Sequence, residues 1–213
     1  MNLAAPIAAL LLSLPVLLAQ QPPVCDQPLD QLIRTAPREE MERCLKTRIP
    51  QPAKVTPVES PLHDAALRGY LDVVRLLLRM KFPVDERDKL GNTPLHDASL
   101  KGRAEVVAAL LEAGASPSAA NSTGSTPLHE AALGGFSKVI ELLLAAKGAG
   151  ADALDAEGNT ALHLAASFGR KEAVEALLHG GANSHLMNKR GLTPAKLATA
   201  SGQAEVAAIF ERH

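Results

Sequence analysis

The residues in this chain best able to do chemistry are four histidines. His63, His96, His129 and His163 follow one another at offsets of 33, 33 and 34 residues, each at the end of a short Thr/Ser-Pro/Ala-Leu-His motif. Imidazole can ligate a metal or exchange a proton near neutral pH. A zinc ion, however, needs its ligands about 2 Å away, while packed helical layers lie roughly 10 Å apart. Histidines placed one per repeated unit are therefore expected to be structural, with no shared metal. Cys25 and Cys44 lie too far apart in sequence to form a C-x-x-C ligand or redox pair. Gly148-Ala149-Gly150-Ala151 lacks the Lys-Ser/Thr ending of a phosphate loop. Neither a G-x-S-x-G elbow nor an H-E-x-x-H helix occurs. No catalytic residue, metal site or cofactor is expected, and the chain does not read as an enzyme. Asn121-Ser122-Thr123 is a formal glycosylation sequon, but Asn121 also fits a turn. His179 and His185 are expected at the surface.

The elements that carry these histidines follow from composition. The 213 residues include 22 Lys+Arg and 23 Asp+Glu, a net charge of −1. That balance offers no long-range field to gather nucleic acid or an anionic membrane. Hydrophobic residues make up 46% and aromatic residues only 2%, so the apolar surface is mostly Ala, Leu and Val. A sandwich of aromatic and β-branched strands is disfavoured, and an Ala/Leu-rich helical assembly fits. Fifteen Gly and fifteen Pro suit short helices only as regular punctuation.

The punctuation is regular. Ser60-Pro61-Leu62-His63 recurs as Thr93-Pro94-Leu95-His96, Thr126-Pro127-Leu128-His129 and Thr160-Ala161-Leu162-His163, and then as Thr193-Pro194-Ala195-Lys196. Thr or Ser is suited to cap a helix and Pro to open its first turn. Gly69, Gly102, Gly135, Gly169 and Gly202 then stand at one fixed distance, ready to end that helix with φ > 0. A second helix follows, with apolar pairs such as Leu77-Leu78, Leu110-Leu111, Leu143-Leu144 and Leu177-Leu178. Extended connections open at Gly114-Ala115, Gly148-Ala149 and Gly181-Ala182. They end in Asx-x-x-Gly turns at Asp88, Asn121, Asp155 and Asn188. The one extra residue falls in Ala145-Ala146-Lys147.

This pattern resembles the ankyrin repeat family across residues 60–213, with repeats starting near 60, 93, 126, 160 and 193. The resemblance implies an all-α solenoid: stacked helix–turn–helix repeats with short hairpin fingers, a concave face, and capping repeats at both ends. It implies that Thr93, Pro94, His96, Thr126, Pro127, His129, Thr160 and His163 are structural, each His bonding within its motif and to the neighbouring repeat. Subtracting one repeat from Pro61-Leu62 gives Pro28-Leu29, so residues 20–48 are expected to form a degenerate N-terminal capping helix pair. Residues 49–59 are expected to be a Pro-rich connector. In such a cap, antiparallel helices would bring Cys25 and Cys44 together. A disulfide there would contribute about 3 kcal/mol in the chain-entropy model, the alternative being two buried thiols. Phe210-Glu211 replaces the apolar pair and Lys196 the motif His, marking repeat five as the C-terminal cap.

Residues 1–19 read as a cleaved signal peptide. Leu3 to Ala19 carry no charge, and Pro6 and Pro15 interrupt the run; the alternative is an anchor formed by residues 3–19. The chain is expected to be exported, periplasmic or secreted. Its expected partner is another protein, without nucleic acid and with no membrane beyond the leader, and a monomer is the default. The face implied by the resemblance carries Leu67, Arg68, Tyr70, Leu100, Lys101, Arg103, Leu133, Phe136, Phe168 and Arg170. These are candidate partner-binding residues, since aromatic and Arg anchors dominate interfaces; alternatively, the leucines lean half-buried between repeats. Asp64, Asp97 and Glu130 follow the motif histidines, either as an acidic ladder for a basic partner or, the favoured reading, as solvated acids at helix N-termini. The function expected is a non-enzymatic interaction scaffold. The alternative is an accessory or chaperone-like factor for a periplasmic enzyme, as resemblance to exported bacterial ankyrin proteins linked to catalase and oxidative-stress defence implies.

Overall fold

A computed structural model describes residues 60–212 and, nearer the N-terminus, Cys25, Leu32, Ala36, Pro37, Glu39, Glu40, Arg43 and Cys44. The signal segment 1–19 and the connector 49–59 lie outside the described residues, as does most of 20–48. The chain divides into two compact units, Met1–Arg48 and Ile49–His213. In the first unit, Leu32, Glu39, Glu40, Arg43 and Cys44 are helical, Leu32 and Cys44 are buried, and Cys25 is bonded to Cys44 with Cα atoms 5.0 Å apart.

In the second unit the described residues form ten helices and no strand. They are α1 (Pro61–Arg68), α2 (Leu71–Arg79), α3 (Pro94–Leu100), α4 (Ala104–Glu112), α5 (Pro127–Gly134), α6 (Ser137–Ala145), α7 (Ala161–Ser167), α8 (Lys171–His179), α9 (Pro194–Ala200) and α10 (Ala204–Phe210). Each first helix packs on the next first helix, from α1 through α3, α5 and α7 to α9. The second helices form a parallel row from α2 to α10. Among the described residues the main helix packing thus joins each repeat to its neighbours, and each buries its apolar face by stacking.

Helices of seven to nine residues are too short to persist alone in water. Caps and packing sustain them. Pro opens α1, α3, α5 and α9. The first-helix Leu and paired Ala residues of α1, α3, α5 and α7 close on the neighbouring layers: Leu62, Leu95, Leu128 and Leu162 are at most 2% exposed. In the second helices Leu77, Leu110, Leu143 and Leu177 are fully buried. Each such Leu stabilises by about 1.5–3 kcal/mol. At the end of the described row Phe210 is only half-buried and Glu211 exposed.

The fingers are turns, not strands, and each closes on itself before binding the next. Gly91 N–H donates to the Asp88 carbonyl at 3.0 Å, and Asp88 N–H to the Asn92 carbonyl at 3.0 Å. The Asp88 Oδ1 accepts the N–H groups of Leu90 and Asn92, both at 2.8 Å. The same geometry repeats at Asn121, Asp155 and Asn188. Between fingers, Ser122 N–H donates to the Leu90 carbonyl, Ala156 N–H to Thr123 and Lys189 N–H to Glu157. Asn121 Nδ2 donates to Asn92 Oδ1 at 2.9 Å, and Asn188 Nδ2 to Asn159 Oδ1 at 2.8 Å. The extra residue after α6 is taken up by Ala146, whose backbone turns extended.

Candidate interaction surface

Three of the motif histidines are internal fasteners. The Nδ1 of His96 accepts the backbone N–H of Thr93 at 3.0 Å, while its Nε2 donates to the Ser125 carbonyl of the next finger at 3.0 Å. His129 joins Thr126 to Asn159 in the same way, and His163 joins Thr160 to Leu192. One nitrogen faces a donor and the other an acceptor, which fixes the neutral Nε2–H tautomer. Burial holds all three below the ordinary imidazole range, partly offset by those carbonyls. Among the described residues no cluster of His, Cys, Asp or Glu could hold a metal ion.

His63 departs from this pattern. Its Nδ1 lies 2.6 Å from Asp97 Oδ2, in the next repeat, and its Nε2 lies 3.0 Å from the Glu86 carbonyl. Both nitrogens face acceptors, so only the doubly protonated ring satisfies both. Burial opposes that charge, but the Asp97 hydrogen bond and charge, with the Glu86 carbonyl, outweigh it and raise the pKa. The favoured reading of solvated acids at the helix N-termini therefore fails for Asp97, which is bonded into an inter-repeat ion pair. Glu130 is half-buried, and burial followed by the Asp97 charge raises its pKa.

The candidate partner-binding residues differ in exposure and in what they touch. Arg68, Lys101, Arg103 and Arg170 are exposed, and Phe168 is 53% exposed. Leu67, Leu100 and Leu133 are half-buried, as are Tyr70 and Phe136, so the leucines do not form a fully open strip. Arg103, Phe136 and Arg170 lie over the glycine of the preceding repeat. A Cβ built on Gly69 would meet Arg103 at 2.8 Å, one on Gly102 would meet the Phe136 ring at 2.5 Å, and one on Gly135 would meet Arg170 at 2.9 Å. Arg103 Nε also donates to the Leu67 carbonyl and Arg170 Nε to Leu133. These side chains fasten one repeat to the next.

Sequence reasoning missed the apolar finger residues. Leu90, Leu154 and Met187 are each more than half exposed, and their only sequence signal was a large apolar residue at or beside an Asx turn. Between the fingers and the first helices lies a groove of about 230 Å³ whose lining includes Leu90, Asn92, Asp97, Leu100, Thr123 and Glu130.

The family model described as ankyrin repeats (3 copies) matches residues 37–121, 62–155 and 116–188. The chain belongs to the ankyrin repeat family, a class of protein-interaction scaffold. A comparison with curated proteins finds no significant match. Among the described residues no helix is long and apolar enough to cross a membrane.

Proposed function

We propose that this chain is an exported, non-enzymatic scaffold that grips another protein with the face made by its fingers and first helices. The observation that carries this is the set of large apolar side chains left in water there: Phe168 after α7 and Leu90 on the finger before α3, beside half-buried Leu100 and Leu133. Apolar residues exposed beside a groove mark partner sites. Export is supported by the uncharged segment 3–19 and by the Cys25–Cys44 bond, which suits an oxidising compartment.

The test is co-purification of the full chain from the exported fraction, with mass spectrometry of what accompanies it. A stoichiometric partner whose capture is lost in Phe168→Ala, at unchanged melting temperature, supports the reading. Capture that survives both this change and Leu90→Ser sinks it. Recovery of the chain only from the cytosol, with both thiols free by intact mass, sinks the export part. The narrower role as accessory to an exported enzyme, such as a catalase-type peroxide defence, predicts that the partner's activity falls when this chain is deleted.

A further inference from the structure

Resting on that reading of the inner face, we propose that the groove between the second and third repeats receives one arginine or lysine side chain of the bound protein, its charge between Asp97 and Glu130 and its aliphatic stem on Leu90 and Leu100. The groove of about 230 Å³ has these four residues in its walls, a pairing of apolar sides and carboxylates that suits a long side chain with a cationic tip.

The chain itself supplies a precedent one layer away. At the step from the first to the second repeat, the cation on Asp97 is the chain's own His63, at 2.6 Å. At the next step the corresponding ring, His96, is turned inward onto Thr93 and is neutral. Glu130, which occupies the position of Asp97, has no hydrogen-bond or ion-pair partner among the described residues. Arg87, on the adjoining finger, is spent on the carbonyls of Gly91 and Ala120. One imidazolium against two carboxylates leaves one negative charge uncompensated in a half-enclosed apolar groove. Such a charge discriminates strongly in favour of a cation and against a neutral isostere.

The experiment uses the ¹⁵N-labelled full chain and two probes of nearly the same shape, the capped tripeptides Leu-Arg-Leu and Leu-citrulline-Leu, in which a neutral urea replaces the guanidinium cation. The arginine peptide should shift amides within residues 90–100 and 121–130. It should bind about tenfold tighter than the citrulline peptide, the low end for a hydrogen bond to a charged group. Glu130→Gln, a near-isosteric change that should melt no lower than the parent, should erase that tenfold preference. Equal binding of the two peptides, shifts confined to other regions, or an undiminished preference in Glu130→Gln would overturn the proposal. The broader reading fails separately. Partner capture lost in Phe168→Ala but intact in Glu130→Gln removes only the cation site; capture intact in Phe168→Ala, Leu90→Ser and Glu130→Gln removes both.

Discussion

His63 and its three sequence equivalents show how one residue type takes opposite protonation states within one scaffold. An unfolded histidine titrates near 6.5. The folded values of His96, His129 and His163 lie lower, so on acidification the unfolded state binds protons first and stability falls as pH drops below about 6.5. His63 is raised; its contribution is full below about 6.5 and is lost as pH rises through its folded value. Between pH 8 and pH 5 the melting temperature should therefore change less favourably towards acid in His63→Gln than in the parent, because the opposing contribution is gone. A more favourable change in that variant would contradict the assignment. Ser99 gives a second test. It is fully buried, and its hydroxyl has no partner, while Ala66, Ala132 and Ala166 hold the same position in other repeats. Ser99→Ala should stabilise by about 1 kcal/mol, read as a higher midpoint in denaturant. The histidines were legible from spacing, but the turning of His63 was not, because its partners Asp97 and Glu86 lie on other elements.

At the scale of the helix and its ends, conformational strain is concentrated in two places. Lys81 is the one non-glycine described with positive φ, at 65°. It occupies the place held by Gly114 and Gly181 after the later second helices, and its N–H likewise bonds back to the last turn, at Leu78. A left-handed L-residue costs about 1–2 kcal/mol, part of which glycine returns through unfolded-state entropy. Lys81→Gly should therefore gain roughly 0.5–1 kcal/mol; a loss in thermal melts would refute the strain. Gly102 and Gly202 form a matched pair. Both have positive φ, but a Cβ on Gly102 runs into the Phe136 ring, whereas Gly202 has open space. Gly202→Ala should cost about 1 kcal/mol and Gly102→Ala about 2–3 kcal/mol. Equal costs would mean that the ring gives way freely. The helix starts, glycine stops and Asx turns were all readable, since each depends on backbone chemistry within a few residues. The ladders between fingers were not, because their partners stand about one repeat apart.

For the whole repeat unit, stability is a sum of interfaces between neighbours. Leu143 is fully buried in α6, between α4 and α8, whereas Phe210 at the end of the row is half-buried. Leu143→Ala should cost about 2–5 kcal/mol and lower protection from hydrogen exchange in the repeats on both sides. Phe210→Ala should cost less and loosen mainly α9 and α10. Uniform loss of protection along residues 60–212 in the Phe210 variant would contradict nearest-neighbour stacking.

The sequence by itself determined the period, the helix pairs, their punctuation and the family, because each is written in residues close together and repeated in register. It also placed the histidines and showed that no familiar catalytic or ligand motif surrounds them. Tertiary structure decided what each repeated position does. Stacking one repeat on the next set Arg103, Phe136 and Arg170 over glycines, seated His63 on Asp97, and left Glu130 facing a groove without a cation. Those outcomes depend on which side chain the adjacent layer presents at a distance of a few ångströms, and a one-dimensional period does not encode that contact.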